Sequence, residues 1–321
     1  MNKTDNYLDK HRFSLVMLIA ILYALFINYY VLNFYIEFNT SDLGNYLRNT
    51  EAHFGRFSKG DYHSSKMSIF YHLLYLIDLS HSYISNKEFS ALIFSILASS
   101  ILFVYTLLSG VQNLKHLLIV LPIVVMLLLT PKVIDLFAAT IRNGAAFAVF
   151  YYSIQLLEGY KKNIGILFSV LIHMSMLPLL ALYIFYYFVH KVINVKSTFV
   201  ILLVLFFFCL ALMYGLSIVY PAGINSFLIG YKAMVFFLTA VFIFFSFYSS
   251  ALKSVEGFMA IGIMFIILLS FIFNYNLIRY LGVSIIFFST FIISIKRKSV
   301  TQLYSIAYFP FVLTYLYYWI K

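Results

Sequence analysis

The chain has 321 residues, of which 63% are hydrophobic and 10% charged, against about 45–50% and about 25% in an ordinary soluble domain. So little charge cannot cover a water-exposed surface of this size, which excludes a soluble single domain, an extracellular disulfide scaffold, a zinc module and a free nucleic-acid-binding protein. The 22 Lys and Arg against 11 Asp and Glu, a formal charge of +11, describe loops facing anionic lipid rather than a DNA surface. A single cysteine, Cys209, inside an apolar run leaves no intrachain disulfide, no thiol cluster for metal and no redox pair.

In chain order, apolar runs occupy residues 13–36, 89–109, 116–131, 136–158, 197–219, 233–250, 258–277, 278–295 and 300–320. Each is near the ~20 residues that cross ~30 Å of hydrocarbon. The first run is too long, and too polar in its flanks, for a cleaved signal and is expected to stay as an anchor. Two further segments decide the topology: 67–85 carries His72, Asp78 and His81, and 164–190 is broken by Pro178. Lys3, Lys10 and Arg12 before the first run, and Lys296, Arg297 and Lys298 near the end, set both ends of the ladder inside. With 67–85 as an amphipathic helix on the outer face and 164–190 as a re-entrant hairpin entering from inside, Lys115, Lys161, Lys162, Lys191 and Lys196 all fall inside as well. A second arrangement makes both segments full spans and moves Lys115, Lys161 and Lys162 outward, against the inside-positive bias. The expectation is therefore an all-α polytopic membrane protein, a single domain over 1–321, with about nine full spans, the outer helix, the hairpin and an outer loop at 37–66. No internal repeat is visible, which disfavours a transporter.

This arrangement leaves ten cations at the outer side: Arg48, Arg56, Lys59, Lys66, Lys87, Lys132, Arg142, Lys232, Arg279 and Lys321. Such a surplus on the side that normally avoids cations points to an anionic ligand. Arg142 stands 19 residues before Lys161, about 28 Å of continuous helix, and Arg279 stands 17 before Lys296, about 25 Å. With Lys232 they share one outer level. A guanidinium in hydrocarbon costs roughly 2.5–3.5 kcal/mol, so Arg142 is expected to be paired, snorkelling or in a polar cavity. Asp135, seven residues earlier and two turns back on the same face of a continuous helix, is the structural partner to weigh against a ligand. Gly144, Ala145 and Ala146 allow another helix to approach closely.

His173 lies twelve residues after Lys161, about 18 Å into the membrane if helical. At the hairpin tip, with Ser175 and Pro178 shaping the turn, it would face the outer cavity where Arg142 ends. A neutral imidazole there can take a proton near pH 7, or simply bond a neighbouring carbonyl. In the outer loop, Asp42, Tyr46, Arg48, Glu51, His53 and Arg56 offer acids for a hydroxyl proton and cations for phosphate. The sequence has no HExxH, CxxC, Gly-rich phosphate loop or GxSxG, so metalloprotease, redox, nucleotide and serine-hydrolase chemistry lack support.

The stretch Ile141-Arg142-Asn143-Gly144-Ala145-Ala146, then Glu158-Gly159-Tyr160-Lys161-Lys162, then Ile172-His173-Met174-Ser175 resembles the EpsG-like branch of Wzy-type polysaccharide polymerases in order and spacing. Ser41-Asp42-Leu43-Gly44-Asn45-Tyr46 resembles that branch's early acidic and tyrosine signature. The resemblance covers about 60 residues. It implies a bacterial inner-membrane enzyme, active on the periplasmic side, that moves a glycan from undecaprenyl diphosphate onto another carrier-linked repeat unit. No metal or other cofactor is implied. The partners would be the donor and acceptor undecaprenyl-diphosphate oligosaccharides, membrane lipid and a chain-length regulator, with no nucleic acid. The implied roles are Arg142 and Arg279 on the donor diphosphate, His173 or Asp42 as base, and Arg48 or Arg56 guiding the acceptor, with Tyr46 and Lys232 as further binding residues. Two competing readings remain: a membrane glycosyltransferase using a polyprenyl-phosphate sugar, and a lipid-linked oligosaccharide flippase. The flippase would need cations spread through a cavity open alternately to both sides.

Overall fold

The structure is a computed structural model, described for residues 3–31, 70, 71, 73, 87–111, 114–138, 140–219, 229–249, 251–273, 277 and 280–294. Among these residues there is no strand. Helices are what hydrocarbon permits, because each backbone N–H and C=O must be satisfied within its own segment. Among the described residues, five stretches are long and apolar enough to cross a membrane: Arg12–Tyr30, Leu92–Ser109, Met174–Ile193, Thr198–Leu216 and Val255–Ile272. The bent pair Val120–Leu128 and Pro131–Ala138 raises this to six if it is one span. The protein is thus a helical, membrane-embedded protein. The run 300–320, the loop 37–66 and nearly all of 67–85 lie outside the described residues.

In chain order the helices are α1 (Lys3–Tyr30), α2 (Lys87–Ser109), α3 (Leu114–Leu128), α4 (Pro131–Ala138), α5 (Ile141–Leu156), α6 (Gly159–Ile172) and α7 (Leu177–Tyr187). They continue as α8 (Thr198–Val219), α9 (Ile229–Ser249), α10 (Val255–Ile272) and α11 (Tyr280–Ser294). A 3-10 turn, Met174–Met176, precedes α7, and a π-helical turn, Phe188–Ile193, follows it. The 56° bend between α3 and α4 has a local cause. Pro131 supplies no N–H to the helix before it and pushes Thr130 out of helical geometry.

Two expectations from the sequence are corrected here. Residues 136–158 are not one helix: Thr140 has φ −113° and ψ 58°, and α5 starts afresh at Ile141. Asp135 and Arg142 therefore sit on different helices, and the same-face argument for pairing them fails. Nor does a continuous helix join Arg142 to Lys161. α5 ends at Leu156, and Lys161 belongs to the first turn of α6.

Contacts group the chain into two compact units, Met1–Ile119 with Ile134–Leu177, and Val120–Val133 with Pro178–Lys321. In the first, α1 and α2 pack along their lengths. Phe13 meets Tyr105 edge-on at 6.3 Å, so the start of the apolar part of α1 lies beside the end of α2 and the two run antiparallel. Phe103 of α2 stacks on Phe137 at 4.9 Å and touches Phe147 and Tyr151 of α5. These four rings are fully buried. The α5–α6 hairpin turns through extended Leu157 and Glu158 to Gly159, whose φ of 55° is a conformation that a side chain disfavours. Gly165 then sits so close to Ser153 that a Cβ would collide with its side chain.

The second unit is built round α10 and α11, whose described residues are almost all buried. Hence they are apolar on every face. Ser284 donates to the Ala260 carbonyl at 2.8 Å, Phe242 stacks on Phe288 at 4.0 Å, and Leu182 and Leu205 close over Gly262. Cys209 is buried there, its Sγ 3.5 Å from the Gly262 carbonyl.

Candidate functional site

The polar groups of the first unit converge where α5 begins and α6 ends. Antiparallel helices of similar length, joined by a short turn, must bring those two ends level. Asn143 and Ser175 stand sixteen residues either side of Gly159, and the Ser175 hydroxyl donates to Asn143 Oδ1 at 2.7 Å. Asn143 is 4% exposed, so this bond satisfies a buried amide that would otherwise cost about 1–3 kcal/mol. Arg142 precedes it in the first turn of α5. Its guanidinium carbon lies 5.5 Å from the centroid of the Tyr71 ring, a cation–π distance that steadies the charge. Tyr71 is itself 2% exposed.

His173 is the residue at which α6 stops. Its backbone is extended, at φ −154° and ψ 124°. Its N–H closes α6 on the Ser169 carbonyl at 3.1 Å, and its carbonyl accepts from Met176 N at 3.0 Å. The Nδ1 atom accepts a hydrogen bond from the Ser175 backbone N–H at 3.0 Å. A backbone amide can only donate, so Nδ1 carries the lone pair and the neutral ring holds its hydrogen on Nε2. In this geometry His173 presents an N–H, not a base. To accept a proton at Nε2 the ring would have to carry its hydrogen on Nδ1 and lose the Ser175 contact.

The start of α5 adds positive character at this end. Thr140 does not cap the α5 N-terminus with its side chain, because its hydroxyl points back and donates to the Leu136 carbonyl at 3.1 Å. The first-turn amides and helix dipole thus favour an anion beside Arg142. Gly144 lets α5 start this close to α4: a Cβ would lie 2.5 Å from the Leu136 carbonyl oxygen. Asp135 comes within electrostatic range of the Tyr30 hydroxyl, which places the end of α4 toward the end of α1 rather than its start. The assembly is therefore a ledge on which a guanidinium, a helix N-terminus and an imidazole N–H come together. Among the described residues no group of three His, Cys, Asp or Glu could hold a metal.

Of the residues expected from sequence, Arg142 and His173 are brought to one level. Asp42, Tyr46, Arg48, Arg56 and Arg279 lie outside the described residues, and Lys232 falls in the first turn of α9 with its side chain undescribed. Asn143 as a tie and Tyr71 as the ring over Arg142 were not foreseen. The first had a signal, the symmetry of 143 and 175 about Gly159; the second had none, because Tyr71 reaches Arg142 only through the fold. The chain matches no family model, no curated protein and no solved structure.

Proposed function

We propose that this protein is a membrane glycosyltransferase of the polysaccharide-polymerase type, joining undecaprenyl-diphosphate-linked repeat units on the periplasmic face of a bacterial inner membrane. The observation that carries the reading is the Ser175–Asn143 hydrogen bond. It fastens the His173 turn to the first turn of α5, so that the Arg142 and His173 halves of the motif become one anion-binding ledge. In this reading about nine spans cross, and 164–190 enters from the cytoplasm. α6, with 14 residues, reaches about 21 Å, the length of one arm of such a hairpin. The returning arm is Met174–Ile193, 20 residues, longer than the dozen that a symmetric hairpin would use.

The reaction asks for little from the protein beyond charge and placement. The acceptor sugar hydroxyl attacks the anomeric carbon of the donor, the bond from that carbon to the diphosphate oxygen breaks, and undecaprenyl diphosphate leaves with the electron pair. Negative charge grows on the leaving diphosphate. Arg142 and the His173 Nε2–H meet it in a low-dielectric setting, where loss of one such donor typically costs 10²–10³ in rate, about 3–4 kcal/mol. Arg279 and Lys232 assist on the donor, and Arg48, Arg56 and Tyr46 guide the acceptor. With His173 committed as a donor, the acceptor proton passes to Asp42.

The test is the surface-glycan ladder of a deletion strain complemented with variants. Deletion leaves the glycan with at most one repeat unit, and wild type restores the ladder. Arg142→Ala fails at normal membrane abundance, while Arg142→Lys restores it in part, because an ammonium lacks the planar fork that grips two phosphate oxygens. Loss of even the single repeat would instead indicate a flippase. Long chains lacking one branch sugar would indicate a single-sugar transferase.

A further inference from the structure

At the opposite end of the first unit from this ledge, α1 and α2 enclose a second feature, a cavity of about 190 Å3 lined by Arg12, Phe13, Val16, Tyr105, Leu108 and Ser109. Its level in the membrane is fixed by the helices themselves. Arg12 opens the apolar stretch of α1, and Ser109 closes that of α2, so the cavity straddles the boundary between hydrocarbon and the polar layer. The lining has the same division: one guanidinium and two hydroxyl-bearing residues, with Phe13, Val16 and Leu108 supplying the apolar wall. A free anion in solution would have no use for such a wall, whereas a phospholipid has a part for each.

We propose that this cavity holds the headgroup of an anionic, hydroxyl-bearing phospholipid, of which phosphatidylglycerol is the simplest. The phosphodiester takes the Arg12 guanidinium through charge-assisted hydrogen bonds, and the first methylenes of the acyl chains lie on Phe13, Val16 and Leu108. Ser109 distinguishes among headgroups. Its hydroxyl already donates to the Thr106 carbonyl at 2.6 Å, so its oxygen has only lone pairs to offer. It accepts from a headgroup hydroxyl and has no hydrogen left for a phosphate oxygen. The surrounding charge agrees: Lys3, Lys10 and Arg12 outnumber Asp5 and Asp9 on the start of α1, and Lys115 follows six residues after Ser109. Basic residues at a membrane surface attract anionic lipid by about 1 kcal/mol each. The site is independent of the glycosyltransferase reading and stands or falls without it.

Native mass spectrometry of the full chain, purified in detergent and exchanged into mixed phosphatidylglycerol and phosphatidylcholine micelles, tests it. Wild type retains one phosphatidylglycerol in preference to phosphatidylcholine. Arg12→Gln lowers the retained fraction at least tenfold, and Lys161→Gln leaves it unchanged. Ser109→Leu, which fills the cavity without altering charge, also abolishes retention and decides the matter if Arg12→Gln does not purify. Equal retention of the two lipids, wild-type retention in Arg12→Gln or in Ser109→Leu, or displacement of the lipid by millimolar inorganic phosphate would each overturn the proposal.

Discussion

Gly144→Ala tests whether the start of α5 is held against α4 as tightly as the ledge requires. The added Cβ would lie 2.5 Å from the Leu136 carbonyl oxygen and 3.1 Å from both the Cα and Cδ1 of Phe137. A carbon and a carbonyl oxygen ordinarily meet at roughly 3.3–3.6 Å, so the two helices must part by close to that shortfall. The nearest atom is backbone and cannot swing aside, and Phe137 is fully buried. Overpacking of this kind costs about 1–3 kcal/mol, partly offset by the ~0.5–1 kcal/mol that alanine gains over glycine within a helix. The net loss is about 1–2 kcal/mol, together with a displaced Asn143 and a weakened ledge. Gly215, in α8, has no atom within 4 Å of its Cβ position, so Gly215→Ala keeps the propensity gain without the clash. Thermal unfolding of the full chain in detergent should place Gly144→Ala several degrees below wild type, at about 2–4 °C per kcal/mol, and Gly215→Ala at or above it. If Gly144→Ala melts as high as Gly215→Ala, the close approach of α5 to α4 is wrong.

The tie between the two halves of the ledge predicts coupling: in a cycle of Asn143→Ala, Ser175→Ala and the double variant, thermal unfolding should give an interaction of about 1 kcal/mol, and simple additivity would refute the bond. For His173, glutamine keeps an N–H near the position of Nε2 but cannot act as a base. His173→Gln should therefore elongate glycan within about tenfold of wild type, while His173→Ala loses about a hundredfold or more; equal loss in both would return the base role to His173. Topology is tested by Lys162→Cys and Asn194→Cys in a Cys209→Ala background. Both are expected to label only from the cytoplasmic side, and labelling of position 194 from outside would make 159–193 a broken crossing and force 67–85 to be reconsidered as a span.

Composition by itself determined that this chain is helical and lives in a membrane, because with 63% hydrophobic residues and 10% charged no other solvent could surround it. The order of Arg142, the Glu158–Lys162 turn and His173 was equally legible, and the helix assumed between Lys161 and His173 runs unbroken from Gly159 to Ile172. Periodicity could not reveal the breaks at Thr140 and Leu157, since an apolar run reads alike whether or not the backbone bends within it. The break at Leu157 goes with the positive φ of Gly159, and the one at Thr140 with α5 packing against α4 through Gly144. Only the tertiary structure decided that Asp135 and Arg142 belong to different helices, that Tyr71 covers the guanidinium, and that Ser175 ties Asn143 to the His173 turn. The tautomer of His173 was likewise beyond the sequence. It is set by a single backbone N–H two residues on, and that amide points at Nδ1 only because the chain leaves the helix at His173 itself.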